Sequence, residues 1–99
     1  DFIFKTASQY AKAKGQLAEL ENFRPSLKAI KMSQTDETSI GGQEREAYRS
    51  PEYQELCKAI GVATVEAEKL RWSLEAARLR VEVWRTQQAT NRQIERLTI

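Results

Sequence analysis

Between residues 53 and 84 one pattern governs what this chain can fold into. Tyr53, Ile60, Ala67, Leu74 and Val81 recur every seven residues, and Leu56, Ala63, Leu70, Ala77 and Trp84 follow each of them by three. Five consecutive heptads with apolar a and d positions describe a helix packed along its length on another helix. After Pro51 there is no further proline and Gly61 is the only glycine. A helix over about 51–98 is therefore predicted, a rod of roughly 70 Å at 1.5 Å per residue. Its start is marked by Ser50, a good N-cap, by Pro51, which suits the first helical position, and by Glu52, which faces the positive end of the dipole.

The partner within reach is the segment before it. Ile3, Tyr10 and Leu17, then Ala13, Leu20 and Leu27, then Phe23 and Ile30 form three sets spaced by seven that merge into one stripe. A helix over about 2–33 is predicted. Pro25 falls inside it, removes a backbone donor and crowds the carbonyl of Glu21, so one helix bent near 21–25 is expected, with a break into two as the alternative. Residues 34–50 carry Gly41, Gly42 and a cluster of small polar side chains and read as the connection, with 44–49 compatible with a helical turn or with loop. The expected fold is all-α: one domain over 1–99, an antiparallel helical hairpin whose longer second helix runs unpaired from about residue 85. Such hairpins assemble into helical bundles or coiled coils.

Composition excludes much else. With 4 Gly and 2 Pro in 99 residues, the turns of a β-sandwich or barrel are not available. Histidine is absent, which removes the commonest general base and metal ligand and excludes a di-iron site of the Glu-x-x-His kind. Gly41-Gly42 lacks the preceding strand and the spacing of a phosphate loop. Cys57, the single cysteine, falls beside the seam as a small packing residue and has no base to activate it. No catalytic, cofactor or metal residues are expected, and the chain reads as a non-enzyme. No run of 18 apolar residues is present, so no membrane span is expected. The start lacks the basic region and cleavage site of a signal peptide, and the missing initial Met points to a trimmed or partial product. A lone cysteine fits a reducing, cytoplasmic setting.

A second apolar series lies on positions c and f of the same heptads. Val62, Val65, Trp72, Ala76, Leu79 and Val83, interrupted by Lys69, fall on roughly the opposite side of the helix from the seam. A two-helix hairpin covers one side only, so this stripe is the expected oligomer interface, a homodimer first; scattered surface hydrophobes are the plainer alternative. Glu68, Glu75 and Glu82 at b and Arg71, Arg78 and Arg85 at e read as a solvated flank of ion pairs between the two stripes. Charge is uneven along the chain: net +3 over residues 1–33, −4 over 34–55, zero over 56–77 and +3 over 78–99. Folded antiparallel, the molecule would be basic at the chain termini and acidic at the connection. Lys5, Lys12, Lys14, Arg80, Arg85, Arg92 and Arg96 are the candidate nucleic-acid contacts; the alternative is that cations near a helix C-terminus offset its dipole.

The runs Ser50-Pro51-Glu52-Tyr53, Leu70-Arg71-Trp72, Leu74-Glu75-Ala76-Ala77-Arg78-Leu79-Arg80 and Trp84-Arg85-Thr86 resemble small two-helix proteins encoded by bacteriophages and prophages. The likeness covers roughly residues 7–96. It implies a bacterial host cytoplasm and, at most, an accessory role in DNA metabolism, and it carries no catalytic residues with it. Secreted helical hairpins with Trp-x-Gly at the turn are set aside, because Ser39-Ile40-Gly41-Gly42 has no tryptophan. The expected function is that of an oligomeric helical interaction protein of phage origin. The alternative is a nucleic-acid-binding accessory factor in phage recombination or replication that uses the basic end.

Overall fold

The structure, a computed structural model, describes residues 1–98, and among them every regular element is a helix. The order is α1 (Phe2–Gln34), α2 (Ile40–Arg49) and α3 (Pro51–Thr98). Each start has a side-chain cap for a backbone donor that lacks an intrahelical acceptor. The amide of Ile3 donates to Asp1 Oδ1 at 2.9 Å, that of Gly42 to Ser39 Oγ at 3.0 Å, and that of Tyr53 to Ser50 Oγ at 3.3 Å. The Ser50 hydroxyl also donates to the Ala47 carbonyl at 2.8 Å, so one side chain closes α2 and opens α3. Extended backbone at Thr35 and Ser50 separates the helices. α1 passes through Pro25 without a break; the proline is exposed, and the carbonyl it cannot serve, on Glu21, belongs to an exposed residue that water can reach.

α1 and α3 run antiparallel. Lys31 near the end of α1 pairs with Glu52 at the start of α3 at 3.1 Å, whereas Ile3 shares a surface hollow with Leu74 and Val81. The seam lies between them. Leu56, Ala67 and Ala77 of α3 are buried, as are Thr6, Ala13 and Leu27 of α1, and Tyr53, Ile60, Ala63, Leu70 and Leu74 are half-buried. The a/d heptads thus face α1 as their spacing predicts, down to the level where α1 ends. Val81 and Trp84, the last a/d pair, are exposed because α1 begins at this level: only Ile3, itself exposed, stands beside Val81.

Two expectations are corrected. The connection over 34–50 is non-helical only over 35–39 and at Ser50: the helical alternative for 44–49 holds, and the helix begins earlier, at Ile40, so the chain has three helices rather than two. Tertiary packing outweighs the helix penalty of Gly41 and Gly42, about 1 kcal/mol each. Ala47 is 0% exposed, Gly42 is buried beside Glu37 and Ser39, and Tyr48 meets Tyr53 edge-on at 5.3 Å. In α1, Phe23 and Ile30 lie outside the seam and are exposed. The row Thr6, Ala13, Leu20, Leu27 faces α3 instead; an antiparallel pair has room for two rows, and Phe23 and Ile30 stand on the next one round the helix.

The result is a rod with extents of 86 × 23 × 15 Å and a radius of gyration of 24.0 Å. A compact chain of this length has a radius of about 13 Å. Its accessible surface is 7828 Å², against roughly 5,800 Å² for a compact protein of the same mass. No helix among the described residues is long and apolar enough to cross a membrane.

Candidate functional site

The long middle of α3 presents two different surfaces. On the side away from α1, Trp72 is 59% exposed, Leu79 49% and Val62 72%, with Val65, Val83 and Ala76 also open to solvent. All six residues expected to form an interface therefore share one uncovered face. Thr64, Val65, Trp72 and Ala76 line an open apolar hollow on it. Lys69 interrupts the face, and its ammonium reaches water on a long stem.

Between this face and the seam runs a ladder of ion pairs. Arg71 donates twice to Glu68 Oε2, at 3.1 and 2.8 Å, and Arg78 donates to Glu75 at 2.6 Å and to Glu82 at 2.7 Å. The Arg71 guanidinium also lies over the Trp72 ring, 4.5 Å from its centre, which holds the indole in one orientation. Arg71 holds the Glu68 carboxyl below its ordinary range, and Arg78 does the same for Glu75; the hydrogen bond is the larger cause in each case. Both guanidiniums are in turn held above theirs. The flank is a neutralised, solvated strip as far as Glu82, as the b/e pattern predicts, but Arg85, the last of the expected set, has no ion-pair partner among the described residues. The spacing pointed to the pairs but not to the stacking of Arg71 on Trp72.

The seven candidate nucleic-acid contacts do not gather into one patch. Lys14 stands beside Tyr10, 5.8 Å from its ring centre, at the level of Glu68. Lys12 lines a hollow with Glu66 and Leu70. Lys5 lies nearer the start of α1, whereas Arg85, Arg92 and Arg96 follow one another along the end of α3. From the level of Lys14 to Arg96 is a climb of 28 positions along α3, roughly 42 Å. Among the described residues none of the seven takes part in an ion pair.

The far end of the rod is less acidic than segment counting suggests. Arg24, Lys28 and Lys31 of α1 fold alongside the acidic stretch. Lys28 pairs with Glu44 at 3.5 Å and lies 5.0 Å from the centre of the Tyr48 ring; Tyr48, then Glu44, hold its ammonium above the ordinary lysine range. Glu52 is held below the carboxylate range by its own backbone N–H at the helix start, and by Lys31. Cys57 is half-buried with a free thiol.

The class this arrangement defines is an elongated all-α chain with a helix-on-helix seam and an uncovered apolar face. No family model, curated protein or solved structure matches it.

Proposed function

We propose that this chain is a non-enzymatic helical interaction protein, of phage or prophage origin, that works as a homodimer. One observation carries the reading: the apolar face of Val62, Val65, Trp72, Ala76, Leu79 and Val83 lies open along the middle of the longest helix. Exposed apolar stretches of this extent on small chains are interfaces. The rod shows about 2,000 Å² more surface than a compact chain of its mass, well above the roughly 800 Å² per partner that a standard specific interface buries.

A two-fold axis uses a self-complementary stripe most simply. Two α3 helices crossing antiparallel near Trp72 set Val62 and Val65 of one copy against Leu79 and Val83 of the other, with both α1 helices outside, in a four-helix arrangement. That crossing lies near the middle of α3, so the two helices overlap along most of their length. It also places Glu66 of each copy opposite Arg80 of the other, and neither residue has an ion-pair partner within its own chain among the described residues.

Sedimentation equilibrium tests the proposal. The parent is expected to be a dimer at 100 μM and Trp72→Glu a monomer with the parent's helical circular dichroism, because Trp72 is not part of the seam. A monomeric parent, or a Trp72→Glu chain of unchanged mass, refutes the interface.

A further inference from the structure

Arg85 still lines the hollow beside Ile3 of α1, and past it α3 continues to Thr98 beyond the start of α1. At that level its charge pattern changes too. At the b positions Glu68, Glu75 and Glu82 supply carboxylates to Arg71 and Arg78, three or four residues away. The next two b positions are Ala89 and Arg96. The arginines at e continue as Arg85 and Arg92, but the glutamates at b stop, and Glu95, the one acid past Glu82, makes no ion pair with them among the described residues. Glu82, the last of the series, is taken by Arg78 at 2.7 Å. Among the described residues Arg85, Arg92 and Arg96 have no ion-pair partner.

At 100° per residue the three arginines fall within about 40° of one another, spread over roughly 16 Å of helix. They form a single cationic ridge along the end of α3. Offsetting the helix dipole does not account for it, since that effect is confined to the last turn. Arg85 stands 13 positions before Thr98, and Arg92 six. A membrane surface does not fit the opposite side, where Ile94 and Leu97 lie among Thr86, Gln87 and Thr90, too little apolar area to hold a helix in a bilayer interface.

We infer that residues 85–98 of α3 form a binding helix for duplex DNA, with Arg85, Arg92 and Arg96 contacting its phosphodiester backbone. Arg85 stands about 140° round the helix from Trp72, so the ridge faces away from the side that the proposed dimer covers, and a row of guanidiniums presents the planar forks that suit phosphate oxygens. Arg80 points elsewhere, about 140° round the helix from Arg85, and is not part of the ridge. Lys12 and Lys14 lie too far along the rod to reach the same stretch of backbone.

The test is binding to a fluorescein-labelled 20-base-pair DNA duplex, followed by anisotropy between 50 and 200 mM salt. Three phosphate contacts weaken binding about 40-fold across that range. The triple variant Arg85→Gln/Arg92→Gln/Arg96→Gln is expected to lose this dependence, reducing the slope of log K against log salt by about 3. The variant removes no seam contact, and unchanged circular dichroism and sedimentation confirm that it folds. A control that removes two cations of α1 instead, Lys12→Gln/Lys14→Gln, is expected to keep the parent's slope. No binding by the parent at 50 mM salt overturns the inference. So does equal loss in the control, which would make the effect one of net charge. Tighter binding to the single strand, or binding only to phosphatidylserine vesicles, overturns it as well.

Discussion

Leu56 and Leu79 are the same residue type on the same helix, and truncating each to alanine measures how differently the two faces of α3 are used. Leu56 is 8% exposed in the seam, so Leu56→Ala loses nearly the full burial of a leucine side chain and leaves a cavity. Such changes cost about 2–5 kcal/mol. The seam is thin, no large side chain is fully buried, and its neighbours can close part of the gap, so about 2–3 kcal/mol is expected here. For a domain of this size that lowers Tm by roughly 10–20 °C. Leu79 is 49% exposed and leaves no cavity. In the single chain Leu79→Ala costs about 1 kcal/mol or less, offset slightly by the better helix propensity of alanine. In the proposed dimer Leu79 would be covered, and its cost would rise with protein concentration, because association adds to apparent stability by mass action. Urea denaturation followed at 222 nm, at 2 and at 200 μM, separates these cases. Leu56→Ala is expected to lose the same free energy at both concentrations, and Leu79→Ala to lose more at the higher one. A Leu56→Ala loss below about 0.5 kcal/mol, the range of surface changes, would falsify the assignment of the seam. A Leu79→Ala loss that ignores concentration would remove Leu79 from the interface.

Two further outcomes follow from local structure. An added Cβ at Gly15 or Gly61 meets nothing within 4 Å in the interior of a helix, so Gly15→Ala and Gly61→Ala are each expected to raise stability by about 0.5–1 kcal/mol in urea titrations; a loss at Gly61 would mean that another chain approaches the backbone there. Glu52, Glu68 and Glu75 have folded-state pKa values below the unfolded value of 4.5. Their contribution is therefore present above that value and lost as pH falls through the folded ones, so Tm measured from pH 6 down to pH 3 is expected to drop in the acid range, with a flatter profile for Glu52→Gln/Glu68→Gln/Glu75→Gln.

Much of the architecture is legible in the residues because a heptad repeat is a statement about packing. The a/d spacing of α3 places Leu56, Ala67 and Ala77 in the seam, and Ser50-Pro51 marks the start of the helix at the right residue. The c/f spacing predicts an uncovered face, and Trp72 and Val62 lie on one. What the residues hid was decided at longer range. At Ile40-Gly41-Gly42 the one local signal for a helix is the Ser39 cap, set against two glycines; the helix forms because Ala47 and Tyr48 find partners on α1 and α3. Thr6 is buried and Phe23 is not because the seam has width for two rows, a limit set by the partner helix rather than by hydrophobicity. The seven cations are all present in the sequence, but their separation along the rod depends on the antiparallel register. Counting charge by segment missed Lys28 and Lys31 folding against Glu44 and Glu52.

The thin alanine-lined seam also sets how this chain responds to temperature. Unfolding exposes apolar surface, and that exposure is the source of the heat-capacity change. An unfolded chain of 11.4 kDa exposes roughly 16,500 Å², and the folded rod keeps 7828 Å² of its surface in water. The single chain hides about half of its surface, where a compact domain of this length hides close to two-thirds. Its heat-capacity change falls below the usual 1.2–1.5 kcal/mol/K per about 100 residues, and its curve of stability against temperature is correspondingly shallow. Contacts made by the open apolar face behave differently, since hydrophobic association weakens on cooling. If that face closes a dimer, as proposed, chilling the solution is expected to weaken the association between the chains.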